Sequence, residues 1–163
     1  MWFNGLRCCD CANLDKYDRN KYGDAYCPTR REYVELDSYT CRDFIPNFYV
    51  ITAYCDINKL PYGCDMMTTL ISFRNTYMMN NKEGIEFLKE YDVIGPILAA
   101  RLACDMYRTD IVANMKESYI EPAIEFINTG RCQEAQTTYI QMVESLKIRY
   151  GYAPIEKDKI KRL

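Results

Sequence analysis

Apolar residues recur at helical spacing through most of the chain after residue 47. In the segment 131–150 they fall every three or four positions and share one face: Cys132, Ala135, Tyr139, Met142, Leu146 and Tyr150. The segment 109–128 has the same pattern, and Pro122 is expected to kink it. Both patterns predict amphipathic helices that bury one face.

Two further segments show weaker forms of the same pattern. Residues 65–79 predict a helix for which Asp65 is the expected N-terminal cap. Residues 83–91 predict a short helix that is broken around Pro96. Because proline suits the first turn of a helix, Pro96 is then expected to begin another one.

The segment 48–58 combines β-prone residues with a helical continuation, and we assign it to a helix. With this helix, the expected fold is mainly α: an irregular helical bundle of about five to six helices. We expect the helical domain to cover 48–155 and a charged tail to follow at 156–163.

Residues 1–47 differ in composition from the rest of the chain. They contain many turn-forming residues, few aliphatic side chains and a concentration of the nine cysteines: Cys8, Cys9, Cys11, Cys27 and Cys41. A segment of this size with so little to bury needs a metal ion or a crosslink in order to fold. We therefore expect a small N-terminal Cys-rich metal-binding module at 1–47.

Four of these cysteines have a spacing that suits a structural zinc ion. Cys8 and Cys11 form a C-x-x-C pair that can chelate one ion in a tight knuckle, and Cys27 and Cys41 complete a tetrahedral set. Cys9 is a substitute ligand. Because four protein ligands leave no open position, the Zn²⁺ is expected to be structural. Disulfides or structural thiols, and iron–sulfur or thiol-redox chemistry, are alternative interpretations.

Composition and charge exclude or disfavour several functions. The chain has no histidine, which excludes Ser-His-Asp and Cys-His catalysis as well as mixed Cys/His zinc sites. The net charge is −2, and neither 1–47 nor 48–163 has a basic excess, so a nucleic-acid partner is not expected. No apolar stretch reaches the length of a membrane span, and the first residues lack the apolar core of a secretory signal. We therefore expect no membrane association and a cytoplasmic location.

Part of the helical domain, about residues 48–100, resembles a bacterial family. The segment 48–53 reads Phe-Tyr-Val-Ile-Thr-Ala and is similar to the CFI-box of uncharacterised bacterial proteins, which typically reads Cys-Phe-Ile-Ala-Thr-Ala. Leu-Ile-Ser-Phe-Arg-Asn at 70–75 resembles that family's Leu-Arg-Arg-Phe-Arg-Asp, and a downstream aromatic and proline segment follows in order. Phe48 replaces the leading cysteine of the family. The resemblance implies a helical domain in a bacterial, intracellular setting, and the family carries no established activity.

Two side chains of the helical domain are candidates for ligand binding. Arg74 lies on an otherwise apolar helical face, where it could bind an anion in a pocket. An ion pair with Glu90 or Asp92 is the favoured interpretation. Thr52 could hydrogen-bond a ligand, although a bond to a carbonyl of its own helix is favoured.

Tyrosine is abundant in the N-terminal module, at Tyr17, Tyr22, Tyr26, Tyr33 and Tyr39. We expect most of these rings to pack around the metal centre and the rest to form a protein interface. No spacing marks a catalytic residue. The favoured hypothesis is a non-enzymatic, zinc-binding helical protein with a protein partner. The alternatives are a small enzyme or ligand-binding protein that uses Arg74 in an inter-helix pocket, and a thiol-redox or iron–sulfur protein.

Overall fold

The computed structural model describes residues 8, 11, 14–38 and 48–152. This part of the chain is mainly helical, as predicted. Its elements are β1 (Asp15–Arg19), β2 (Ala25–Cys27), β3 (Glu32–Val34), α1 (Tyr49–Ile57), α2 (Asp65–Thr76), α3 (Lys82–Cys104), α4 (Arg108–Met115), α5 (Glu121–Asn128) and α6 (Cys132–Arg149). A 3₁₀ turn at Met78–Asn80 follows α2, and a π turn at Lys116–Ile120 joins α4 to α5. Within these described ranges, no helix has both the length and the apolar character needed to cross a membrane.

The three strands form an antiparallel sheet in the order β1-β2-β3. In the second hairpin Ala25 pairs with Val34 and Cys27 pairs with Glu32. The first hairpin turns at Gly23, whose φ of 90° favours glycine. The second turns at Arg31, which adopts a φ of 57° and donates its N–H to the carbonyl of Cys27 at 2.7 Å. The sheet therefore presents Cys27 at the end of its central strand.

Helix α3 is longer than the sequence predicts. The expected break around Pro96 is wrong, because one helix continues from Lys82 to Cys104 with Pro96 inside it. Proline has no N–H, so the carbonyl of Asp92 lacks the hydrogen bond that residue 96 would otherwise donate. Pro96 and Asp92 are both exposed, so water can donate to that carbonyl instead. Gly95 is buried against α1, and a Cβ atom there would lie 2.5 Å from Cδ2 of Tyr49. A side chain at this position would push α1 and α3 apart.

Two predicted helix features are placed differently in the structure. Asp65 is the first residue of α2 and not its cap; Cys64 holds the N-cap position. The segment expected as one helix at 109–128 consists of α4, the π turn and α5 in direct succession, and Pro122 lies in the first turn of α5.

The helices bury one continuous apolar core. Helix α1 packs mainly against α3, and α5 packs mainly against α6. The side chains at the centre of the core are almost wholly inaccessible to solvent: Ile51, Met67, Leu98, Leu102 and Met142. Buried side chains of the small sheet are contiguous with this core. The division into 1–47, 48–155 and the tail 156–163 stays a prediction, since residues 39–47 and the tail lie outside the described ranges.

Polar side chains fix the start of α3 to α6. Asn81 caps α3 by accepting the N–H of Gly84 at 2.8 Å, and its amide donates to Oε1 of Gln136 at 2.8 Å. Gln136 is fully buried and donates to Oε2 of Glu83 at 2.9 Å. Because both ends of the buried amide are bonded, this cluster fixes the register of the two helices at little desolvation cost.

Candidate functional site

Three of the four predicted zinc ligands lie in the described residues, and all three are buried. The N–H of Cys11 donates to the carbonyl of Cys8 at 3.0 Å, which closes the C-x-x-C pair into a turn. The N–H of Cys8 donates to the carbonyl of Ser38 at 3.0 Å. This bond holds the turn against the chain that follows β3. Cys27 ends β2, and its side chain is part of the same buried cluster as those of Cys8 and Cys11.

The predicted metal centre is incomplete within the described part of the chain. Cys41, the fourth predicted ligand, and Cys9, the substitute ligand, lie outside it. Among the described residues, no group of three or more Cys, Asp or Glu side chains is arranged to hold a metal ion. The zinc site therefore stays a prediction.

Two tyrosines of the module lie at its surface. Tyr22 and Tyr33 are exposed by 76% and 44%, so these two rings do not pack around a metal, and the expectation that most of the five do so stays a prediction. The Tyr33 ring contacts that of Tyr26 edge-on at 5.4 Å, and its hydroxyl donates to Oδ1 of Asp18 at 2.8 Å. The side chain of Tyr17, like Tyr39, is outside what the structure describes.

Arg74 is buried on α2, as its position on an apolar face implies. Its Nη2 atom lies 3.7 Å from Oδ1 of Asp92, one of the two partners expected from the sequence. The guanidinium also lies over the ring of Phe48, 5.8 Å from the ring centre. Glu90, the other expected partner, instead forms an ion pair with Lys147. The observed pair favours the structural interpretation of Arg74, and anion binding stays a prediction.

Thr52 is buried in α1, and its N–H donates to the carbonyl of Phe48 at 3.1 Å. A group of packed aromatic rings joins α1, α3 and α6. Within this group Tyr91 lies 5.5 Å from Tyr49 and 6.2 Å from Tyr139 between ring centres. The hydroxyl of Tyr91 accepts the N–H of Val50 at 3.0 Å and so caps the start of α1 from α3.

The ionisation of this aromatic group is strongly suppressed. Burial raises the pKa of Tyr91 to about 12, and it raises the pKa of Tyr139 well above its ordinary value. The positive charge of Arg74 acts in the opposite direction on both hydroxyls, but its effect is smaller. The two tyrosines are therefore neutral at physiological pH.

The π turn contributes to two inter-helix cavities. One of about 550 Å³ lies between α4 and α6 and includes Tyr119 and Arg149 in its lining. The other, of about 440 Å³, lies between the π turn and the end of α1 and includes Ile120 and Tyr54. Their volumes fall within the range of small-molecule sites, and π turns are frequent at functional sites. Neither Arg74 nor Thr52 lines these two cavities, so a ligand in them would meet other residues.

Lys147 is a buried charge that the sequence pattern did not reveal. Its ammonium donates to Oε1 of Glu144 at 2.8 Å and to a carboxylate oxygen of Glu90. Burial works against the charge, but the hydrogen bonds to Glu144 and Glu90 outweigh it and raise the pKa of Lys147. The spacing of Glu144 and Lys147 on one helix was the only local signal. The contact with Glu90 on α3 required the fold.

Comparison with protein-family models, with curated proteins and with solved structures found no match to this chain. The resemblance of residues 48–100 to the CFI-box proteins therefore stays a hypothesis that rests on the residues quoted for it. The geometry of the described residues is the basis for the proposals that follow.

Proposed function

We propose that this protein is a non-enzymatic helical interaction protein of the bacterial cytoplasm, and that its cysteine-rich module binds one structural zinc ion. The observation that carries the proposal is the burial of Cys8, Cys11 and Cys27 in a module whose described core is otherwise small. The bacterial setting follows from the CFI-box resemblance.

The composition of the module's core supports a role for zinc. Besides the three thiols, the buried residues of the sheet and its approach are Leu14, Ala25 and Val34. At about 25 cal/mol per Å² of apolar surface, so few side chains contribute little to folding. Thiolates that gather around a zinc ion would add the missing free energy, since structural zinc sites commonly form only with the metal.

The exposed surface supports a protein partner. Tyr22 in the first hairpin turn and Tyr33 on β3 present their rings to solvent, and Arg30, three residues before Tyr33, is also exposed. Tyrosine and arginine are enriched where proteins bind one another. Val93 and Met106 are also largely exposed, on α3 and just beyond its end. Interaction through these side chains requires no catalytic group.

Metal analysis of the purified, untagged full chain tests the zinc site. We expect about one zinc per chain, with the predicted ligand thiols protected from alkylation in the native protein. Cys27→Ser should lose most of the zinc and unfold the module while α1–α6 keep their helical circular dichroism. Cys104→Ser, which changes an exposed thiol far from the module in sequence, is the matched control and should retain the zinc.

Two results would contradict the proposal. Full-length protein without metal, whose native thiols in 1–47 all react with an alkylating agent, would remove the zinc site. Retention of full zinc content by Cys27→Ser would show that this residue is not a ligand. The first result would make the thiol-redox alternative the leading interpretation of the module, whereas the second would leave the zinc and assign its ligands elsewhere.

A further inference from the structure

The cavity of about 440 Å³ lies where the end of α1 meets the π turn and α5. Several elements of the fold supply its apolar lining: Tyr54 on α1, Leu60 in the connection between α1 and α2, Met66 on α2, Ile120 on the π turn and Ile124 on α5. Tyr54 and Ile120 are buried, so they form the floor of the cavity and not its rim. A mainly apolar cavity of this volume has the size of a small-molecule site.

Hydrogen bonds fix the wall that the connection between α1 and α2 provides. The N–H of Leu60 donates to the carbonyl of Cys55 at 2.9 Å, and Lys59 adopts a φ of 54°, which is the geometry of a Schellman helix end. Asn58 also lines the cavity, and its side-chain amide donates to the carbonyl of Tyr54 at 2.9 Å. Because these groups are already held in place, a ligand that binds against them has little chain to order.

The opposite wall includes the π turn, which brings two charged side chains together. The N–H of Glu121 donates to the carbonyl of Lys116, five residues earlier. Residues five apart lie about 140° apart around an ordinary α-helix, and the wider π turn reduces this angle. The ammonium of Lys116 accordingly lies 3.4 Å from Oε1 of Glu121. The two charged residues of the described lining are thus paired with each other, so a charged ligand would find no free partner and a neutral one fits best.

Tyr54 brings a polar group into this apolar lining. The residue is only 4% exposed, and within the described ranges its hydroxyl has no hydrogen-bonding partner. The hydroxyl is also not one of the fully enclosed polar atoms of the described core, so it opens into the cavity that the residue lines. Burial, with smaller effects of Cys55 and Glu121, raises the pKa of Tyr54, so the hydroxyl is protonated at physiological pH. It can therefore hydrogen-bond to a neutral polar group of a ligand.

We infer that this cavity is a binding site for a neutral bicyclic aromatic molecule with one polar ring substituent, the chemical class of the naphthols. The rings occupy the apolar floor, and the substituent hydrogen-bonds to the hydroxyl of Tyr54. The inference uses no residue of 1–47 and is independent of the zinc proposal.

The lining favours an aromatic ligand over an aliphatic one of the same size. Met66 supplies a thioether, and a methionine sulfur contacts aromatic rings favourably. Tyr54 supplies a ring, and pairs of aromatic rings are attracted beyond the apolar area that they bury. An aliphatic ring system of the same shape would bury similar area but would lack both of these contacts.

Titration of the full chain with 2-naphthol at neutral pH, followed by naphthol fluorescence, tests the binding. We expect saturable binding of one molecule per chain. Two relatives of the probe are measured as competitors. Decahydro-2-naphthol keeps the hydroxyl without the aromatic rings and should bind about tenfold more weakly. The anion 2-naphthoate keeps the rings and adds a charge, and it should also bind about tenfold more weakly.

Three variants assign the binding to this cavity. Tyr54→Phe keeps the ring and removes the hydroxyl, so it should weaken 2-naphthol binding about fivefold and leave the binding of naphthalene, which has no polar group, unchanged. Tyr119→Phe is the matched control, because Tyr119 lines the other cavity, of about 550 Å³, and it should bind 2-naphthol like the wild type. Ile124→Trp fills the cavity from a half-buried position and should abolish the binding of both compounds. If Ile124→Trp does not fold, the two tyrosine variants decide.

Three results would overturn the inference. The first is the absence of saturable 2-naphthol binding up to the solubility of the compound. The second is wild-type affinity of Tyr54→Phe for 2-naphthol, or a loss of affinity in Tyr119→Phe instead, since the ligand would then lie elsewhere. The third is binding of decahydro-2-naphthol or 2-naphthoate that equals or exceeds that of 2-naphthol, which would assign the cavity to an aliphatic or anionic ligand. The zinc proposal is tested separately, by metal content.

Discussion

The helical part and the small sheet bury different kinds of side chain. The centre of the helical core consists of large residues such as Leu98, Leu102 and Met142, which are almost wholly inaccessible to solvent. The buried residues of the sheet are smaller or sulfur-containing, as Ala25 and Cys27 show. Because the hydrophobic contribution scales with buried apolar area, the helical part can be stable by its own packing, whereas the sheet contributes less buried apolar area.

The tyrosines show the same contrast. In the helical part Tyr91 and Tyr139 are exposed by only 1% and 3%, and their rings link three helices. In the small sheet and its hairpin turn, Tyr33 and Tyr22 are exposed by 44% and 76%. The same residue type therefore serves the core in one region and the surface in the other. A high content of aromatic residues in a segment therefore does not by itself indicate a buried core.

The largest expected effect is a loss of core packing. Leu98→Ala leaves a cavity at a fully buried site on α3 and should lower the free energy of unfolding by about 2–5 kcal/mol. Ile97→Ala, one residue away on the same helix and 41% exposed, is the matched control and should change it by at most about 0.5 kcal/mol. Chemical denaturation followed by circular dichroism measures both. Equal effects would mean that α3 does not provide the core of the helical part.

A smaller effect is expected where one helix caps another. Tyr91→Phe leaves the N–H of Val50 buried without its acceptor, at a cost of about 1–3 kcal/mol. Tyr107→Phe removes an exposed hydroxyl and should cost at most about 0.5 kcal/mol. Urea unfolding of the two variants measures the difference. A Tyr91→Phe protein as stable as the control would contradict the capping role.

The same tyrosine gives a pH dependence with a defined sign. The unfolded chain ionises Tyr91 near its ordinary pKa of 10.0, whereas burial keeps the folded hydroxyl protonated up to about pH 12. The unfolded state therefore binds fewer protons between these values, and stability should fall as pH rises from about 10 to 12. Tyrosinate absorbance should appear together with loss of helical circular dichroism. Tyrosinate that appears at its ordinary pKa in fully folded protein would contradict the burial.

The smallest effect is expected at the surface. Hydrogen bonds from the Arg149 side chain and the Tyr107 N–H lower the pKa of Asp105. The stability that this carboxylate contributes is present above its ordinary pKa and is lost as pH falls through the lowered value. Asp105→Asn should lower the melting temperature slightly at neutral pH and weaken its decrease in acid. Asp110→Asn, an exposed change on α4, should leave the melting curve unchanged at both pH values. Identical melting behaviour of the two variants would show that Asp105 does not contribute to stability.

Much of the helical architecture was predictable, because amphipathic spacing is a local property. The predicted segment 131–150 differs from α6 (Cys132–Arg149) by one residue at each end. The segment 48–58, despite its β-prone residues, is helical as assigned. The break at Pro96 was predicted wrongly, because the cost of an internal proline depends on whether the freed carbonyl meets water. Which part of a helix faces solvent in the folded protein cannot be read from the local sequence.

For the candidate sites too, the sequence predicted some features and the fold decided others. Sequence spacing identified Cys8, Cys11 and Cys27 as a group, and all three are buried. It offered two partners for Arg74 without deciding between them, and the fold selected Asp92.

The sequence by itself determined that this protein is mainly helical, with most helix positions following from residues three and four apart. Only the tertiary structure decided which residues distant in sequence meet: Tyr91 with Val50, Lys147 with Glu90, and Arg74 with Asp92. The physical reason is that helical periodicity is set within a few turns, whereas a buried polar contact depends on how whole helices pack and on what water they exclude.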